Sequence, residues 1–329
     1  MDKPCAQALH FTRAPVVLSF AWLRVVISVV ATAATACVLC AEKITRRYHP
    51  NARILIRSHF FFNLVASLSF VLVDGADVIR IMFVRTSSTD CRIPLLPGLL
   101  AEGLKLPELF CVNALGMSLT CLGLERTFAT VYARCYEKHL RTYPGWLLVL
   151  VTVLLAALKC YYMIRNAIQE GWSVLATVGQ VPPAVQKAGL VMLMVVEVLN
   201  IAIFSFLFWL NRQWKREKNR ITASLAYKYQ VDENLASITN VLQLASVHCA
   251  TTIVATLFFF ILLVLPGSPF ITDLLFSIDI YVLYVFILPL VALLKMHQAN
   301  KRVHTVKRSS QEHRDHFKIL DNYFNGDVK

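Results

Sequence analysis

Ala188 to Leu210 reads AGLVMLMVVEVLNIAIFSFLFWL, an apolar run interrupted by a single charge, Glu197. At about 1.5 Å per helical residue it is long enough to cross the hydrocarbon core of a bilayer. Comparable runs lie near residues 16–41, 59–84, 105–133, 146–168, 241–265 and 274–296. None alternates in polarity as a barrel strand does. Hydrocarbon offers the backbone no partner of its own, so each span is expected to be α-helical. The predicted fold is an all-α membrane protein, a seven-transmembrane helix bundle over 16–296. A short extracellular N-terminus, 1–15, precedes it and a basic cytoplasmic tail, 297–329, follows.

Composition agrees: hydrophobic residues make up 57% of the chain and charged residues 16%, against about 25% charged in ordinary soluble domains. The formal net charge of +13 would suggest nucleic acid in a soluble protein. Here the basic residues are sorted by loop. The connections after the first, third and fifth spans, with the tail, hold 23 Lys and Arg, whereas the opposite face holds 7. By the positive-inside rule the N-terminus is expected outside and the tail in the cytoplasm, with lipid rather than nucleic acid as the partner of the charge. Lys3 and Arg13 before an apolar run resemble a signal peptide, but Val16 to Cys40 is long for one and contains Arg24, so a retained helix is expected.

Ionisable side chains inside the spans are costly and tend to face a cavity or a partner. Asp74, Asp77, Lys159, Glu197 and Asp279 fall toward the outer half or mid-depth, while His248 is placed toward the cytoplasmic side. Glu197 and Asp279 sit among apolar neighbours and cannot snorkel far, and Lys159 is their candidate counter-ion. Together the five acidic and basic residues are candidate ligand-binding positions, with a structural charge network as the alternative.

On the basic face, Glu125-Arg126-Thr127-Phe128-Ala129-Thr130 closes the third span and runs on to Tyr136-Glu137. A second string, Lys228-Tyr229-Gln230-Val231-Asp232-Glu233-Asn234, precedes the sixth. An Arg beside a carboxylate at a helix end can hold a bundle closed and then offer its guanidinium to a partner. Trp214 and Arg216 lie in the third inner loop, 211–240, as a surface for a partner helix or for anionic lipid.

These two strings, with the number of spans and the loop lengths over the whole chain, resemble the nematode serpentine chemoreceptors of the Sra superfamily, particularly its Srab and Sre branches. The resemblance implies a G-protein-coupled receptor in the plasma membrane of a chemosensory cell. Its ligand would be a small environmental or pheromone-like molecule and its partner a heterotrimeric G protein, with room for receptor homo- or hetero-oligomers. Glu125, Arg126, Ala129, Thr130, Tyr136, Glu137, Tyr229, Gln230, Glu233 and Asn234 match family positions, and their implied role is switching or transducer contact.

The chain departs from the broader rhodopsin-like pattern. The seventh span carries Leu288-Pro289-Leu290 where Asn-Pro-x-x-Tyr is sought, and 169–187 contains no cysteine for the bridge to the third helix. Cys5 and Cys91 are the candidate disulfide pair in an oxidising exterior. No cofactor or metal is expected, because Cys37 and Cys40, though at Cys-x-x-Cys spacing, lie alone in an apolar helix and the tail histidines have no companion cysteines. An enzyme is disfavoured for the same reason. A membrane transporter or ligand-gated channel is the rival, since the same buried charges suit a solute or ion pathway. Against it, the spans show no pair of Gly/Pro-interrupted helices at corresponding positions.

Overall fold

The computed structural model describes residues 15–41, 48–83, 96–132, 142–167, 172–173, 183–217, 225–264 and 281–298. These form seven helices: α1 Pro15–Cys40, α2 Pro50–Phe83, α3 Gly98–Val131, α4 Tyr143–Ala167, α5 Pro183–Glu217, α6 Leu225–Val264 and α7 Tyr281–Gln298. Proline opens α1, α2 and α5, where its fixed φ suits a helix start and its missing N–H is no loss. A two-residue antiparallel ladder, β1 Leu96–Pro97 against β2 Trp172–Ser173, ties the chain before α3 to the chain after α4.

Several helices outrun their apolar segments. α2 begins at Pro50 rather than near 59, so Arg53 and Arg57 belong to a helix and not to a loop. The expected loop at 211–240 is mostly helix as well, because α5 continues to Glu217 and α6 starts at Leu225. Hydropathy marks where hydrocarbon ends, whereas backbone hydrogen bonding carries a helix on into the polar interface. α3 starts at Gly98 and not near 105, which puts Pro107 inside the helix instead of at its start.

Six of the seven helices are long and apolar enough to cross a membrane by length and composition, among the described residues. α2 falls short on composition, and burial explains why: Asn51, His59, Asn63, Ser67, Ser69, Asp74 and Asp77 are all buried. A helix whose polar side chains turn inward lowers its own mean hydropathy without facing lipid with charge. α3 is the central post. In its most apolar window 61% of residues are buried, against 22% for α4, which turns Leu147, Leu150, Leu154 and Leu158 outward. Such an exposed apolar face would aggregate in water and is natural against lipid.

α3 packs on α2, α4, α5 and α6. Small residues permit the close approaches, as expected where packing rather than water exclusion drives helix association. A Cβ on Gly116 of α3 would stand 3.1 Å from Glu197 Oε1 of α5. Gly145 of α4 meets α2 still more tightly: a Cβ there would lie 3.0 Å from the Asn51 Cα, and its N–H donates to Asn51 Oδ1 at 3.2 Å. Asn63 joins three helices, donating to Thr35 Oγ1 of α1 and to the Val285 carbonyl of α7, both at 3.0 Å.

Because Asn51 can yield only by moving backbone, Gly145→Val is expected to destabilise the bundle by about 1–3 kcal/mol. Gly75→Ala, with open space around the added carbon, should be tolerated. Thermal unfolding of the purified protein in nanodiscs checks both.

Candidate functional site

Two polar assemblies stand out in the interior: one at mid-depth, the other at the basic end of the bundle.

The mid-depth assembly draws on five helices. His59 of α2 lies with Nδ1 2.7 Å from Ser118 Oγ of α3 and Nε2 2.9 Å from the Tyr284 hydroxyl of α7. Ser118 already donates to the Leu115 carbonyl at 2.8 Å, so toward His59 it accepts. Nδ1 therefore carries the proton and Nε2 accepts from Tyr284, which leaves a neutral imidazole with both nitrogens satisfied. The His248 and Tyr284 rings then meet in a T-shaped contact at a centroid distance of 4.5 Å and an interplanar angle of 83°.

His248 of α6 continues the assembly to α5, its Nε2 lying 3.0 Å from Glu197 Oε1, while the Cys249 thiol donates to Glu197 Oε2 at 3.0 Å. Glu197 is fully buried, and a carboxylate in that position needs such partners. One sequence expectation changes here. His248 is not set apart toward the cytoplasmic side; it shares the depth of Glu197. Lys159 interacts with Glu197 through charge alone, whereas the close contacts of the carboxylate with His248 and Cys249 come from α6. Val112, Leu115, Leu193, Thr252 and Tyr281 join Glu197, His248 and Tyr284 around a narrow crevice.

Sequence reasoning missed His59, Ser118, Cys249 and Tyr284. Single polar residues in apolar helices carry little signal alone, and His59 sat at an assigned span edge. Asp279, the other mid-span carboxylate, lies outside the described residues, as do Cys5, Cys91, Tyr136 and Glu137. Asp74 and Asp77 stand elsewhere, toward the N-terminal end of α1. Arg24 Nη2 of α1 approaches Asp74 Oδ1 at 3.0 Å, and Arg80 Nη1 donates to Asp77 Oδ1 at 2.9 Å. The five candidate ligand positions are thus not gathered by the described residues into one cluster.

At the basic end, Glu125 and Arg126 are both buried. Neighbouring residues on a helix do not ordinarily face each other. Arg126 folds back so that Nε and Nη2 donate to the two Glu125 oxygens at 2.5 and 2.6 Å, a bidentate geometry that suits the planar guanidinium. Its Nη1 is thereby aimed across to α6, where it donates to Ser237 Oγ at 3.0 Å. Asn234 Nδ2 of α6 donates to the Ala129 carbonyl at 3.1 Å, and Asn211 Nδ2 of α5 donates to Thr130 Oγ1 at 3.0 Å. The end of α3 is stitched to α5 and α6 by these three contacts.

The described candidates of the basic face that remain lie on helices, not on a loop. Trp214 and Arg216 are on the last turns of α5, and Tyr229, Gln230, Glu233 and Asn234 are on the first turns of α6. Lys215 and Asp232 pair across the two at 3.0 Å, but half-exposed charges of this kind contribute little. Ser237 and Asn211 were not singled out in the sequence, where nothing distinguishes them from other helical polar residues.

Residues 4–326 match the family model described as serpentine type 7TM GPCR receptor class ab chemoreceptor. No curated protein matches the chain.

The His59–Tyr284 hydrogen bond is expected to couple α2 to α7. A double-mutant cycle of His59→Leu and Tyr284→Phe, read by detergent-induced unfolding in mixed micelles, should give a coupling energy of about 0.6–1.7 kcal/mol. Additive effects would deny the bond any role in stability.

Proposed function

Because the chain belongs to the class ab serpentine seven-transmembrane chemoreceptor family, we propose that it senses a small molecule outside the cell and passes the signal to a heterotrimeric G protein at its basic face. The membrane is then the plasma membrane of a chemosensory cell, with the N-terminus outside and the tail in the cytoplasm, as the loop charges favour. The observation that carries the reading is the buried clasp of Glu125, Arg126 and Ser237 between α3 and α6.

Such a clasp favours one packing of the helix ends. A ligand shifts the population only by binding the alternative packing more tightly, and a full reversal from 1:99 to 99:1 needs about 10⁴-fold discrimination. When α6 moves from α3, the clasp opens at Ser237, since of its contacts that one crosses between helices. Arg126 then has a donor to offer an incoming carbonyl or carboxylate. Trp214 and Arg216 at the end of α5 flank that opening, and their basic, aromatic surface suits a helix of the transducer.

Expressed in cells and challenged with a ligand panel, the native receptor should evoke a second messenger without transmembrane current. Arg126→Ala should abolish most of that response at unchanged surface level, whereas Ser237→Ala should raise ligand-independent signalling several-fold. Ligand-dependent current or uptake that survives Arg126→Ala would instead establish the transporter or channel reading.

A further inference from the structure

The crevice between α3, α5, α6 and α7 contains two buried polar atoms without a hydrogen-bond partner, His248 Nδ1 and Thr252 Oγ1. Their residues are 3% and 2% exposed, so neither atom is rescued by solvent. They belong to positions i and i+4 of α6 and thus lie on one face of the helix. Thr252 is unlike its neighbours. Thr239, Ser246 and Thr251 each donate to a carbonyl of their own helix, and the His248 carbonyl, which Thr252 would ordinarily use, already accepts from Thr251 at 3.0 Å. The crevice is too narrow in this packing to admit a sphere the size of water. Two unmet polar atoms in a dry site disfavour the closed packing and favour a guest that supplies both hydrogen bonds.

We propose that this crevice is the ligand site and that it selects an uncharged, small apolar molecule bearing a hydroxyl group. The chemistry narrows the choice. Every arrangement of protons between Glu197 and His248 leaves Nδ1 unmet: it is a donor when the pair is imidazolium and carboxylate or when the carboxyl keeps its proton, and an acceptor when only Nε2 is protonated. A hydroxyl satisfies either case, because it donates and accepts, and Thr252 supplies the complement. The carboxylate is the poorer target for a cationic ligand, as His248 and Cys249 already engage each of its oxygens. The imidazole is likewise the poorer target for an anion, since its charge would already be balanced by Glu197. Val112, Leu115, Leu193 and the rings of Tyr281 and Tyr284 complete an apolar wall for the remainder of the molecule.

This assignment rests on the receptor reading but is tested apart from signalling. The full chain in nanodiscs is titrated with straight-chain probes of four to eight carbons in four forms: alcohol, methyl ether, primary amine and carboxylate. Binding is followed by thermal unfolding. The alcohol of the best length should bind at least tenfold more tightly than its ether, amine or acid. Thr252→Val should erase that advantage while leaving the ether unchanged, and Ser246→Ala, whose hydroxyl serves its own helix outside the crevice, should preserve it. The assignment is overturned if a charged probe binds as well as the alcohol, if no alcohol binds, or if the alcohol preference survives Thr252→Val. Alcohol-selective binding without any messenger response would keep the site and remove the receptor reading, while a messenger response driven best by an amine or an acid would do the reverse.

Discussion

Within hydrocarbon a polar atom has no water to turn to, and the arrangement of this bundle follows from that constraint. The backbone meets it by helix formation. The side chains meet it by pairing across helices, so buried polar residues decide which faces turn inward. Asn63 pins α1 and α7 to α2, His59 pins α3 and α7, and Glu197 pins α6 to α5. Apolar packing then fills the space between these fixed points, with Gly116 and Gly145 admitting the closest neighbours.

The same constraint separates a rigid part from a switchable part. The His59 chain is satisfied at each step, from the Tyr284 hydroxyl to the Leu115 carbonyl, and leaves nothing for a ligand to exploit. Beside it, His248 Nδ1 and Thr252 Oγ1 remain unmet. A site that is incomplete when empty and complete when filled is a means of coupling occupancy to packing. α6 links the two functional regions directly, because it carries His248 and Thr252 at mid-depth and Asn234 and Ser237 at the basic end. A shift of this single long helix reaches both without a relay through other elements.

How much of this was legible in the sequence depended on the kind of residue. Apolar runs fixed the number and place of the helices well, yet they could not report helix ends, since Arg53, Lys215 and Asp232 extend helices that hydropathy assigns to loops. The Glu125-Arg126 string was visible as a motif, while its partner Ser237 was not, because the pairing is set by the approach of α6 to α3 and leaves no local trace. Glu197 was conspicuous as a lone carboxylate. Charge alone suggested Lys159 as its counter-ion and left out the histidine and the thiol that lie within hydrogen-bond distance of it. His59 escaped notice at a span boundary drawn by composition, although it lies well inside α2.

The account turns on whether the Glu125–Arg126–Ser237 clasp holds α3 and α6 together at the basic end. The direct measurement is the distance between spin labels on unnatural amino acids at the exposed positions 128 and 236, compared in nanodiscs between the native clasp and Ser237→Ala. A second, longer distance that gains population in the variant is the predicted result. An identical single distribution in both would contradict it, and the clasp would then be a contact of the fold and not its switch.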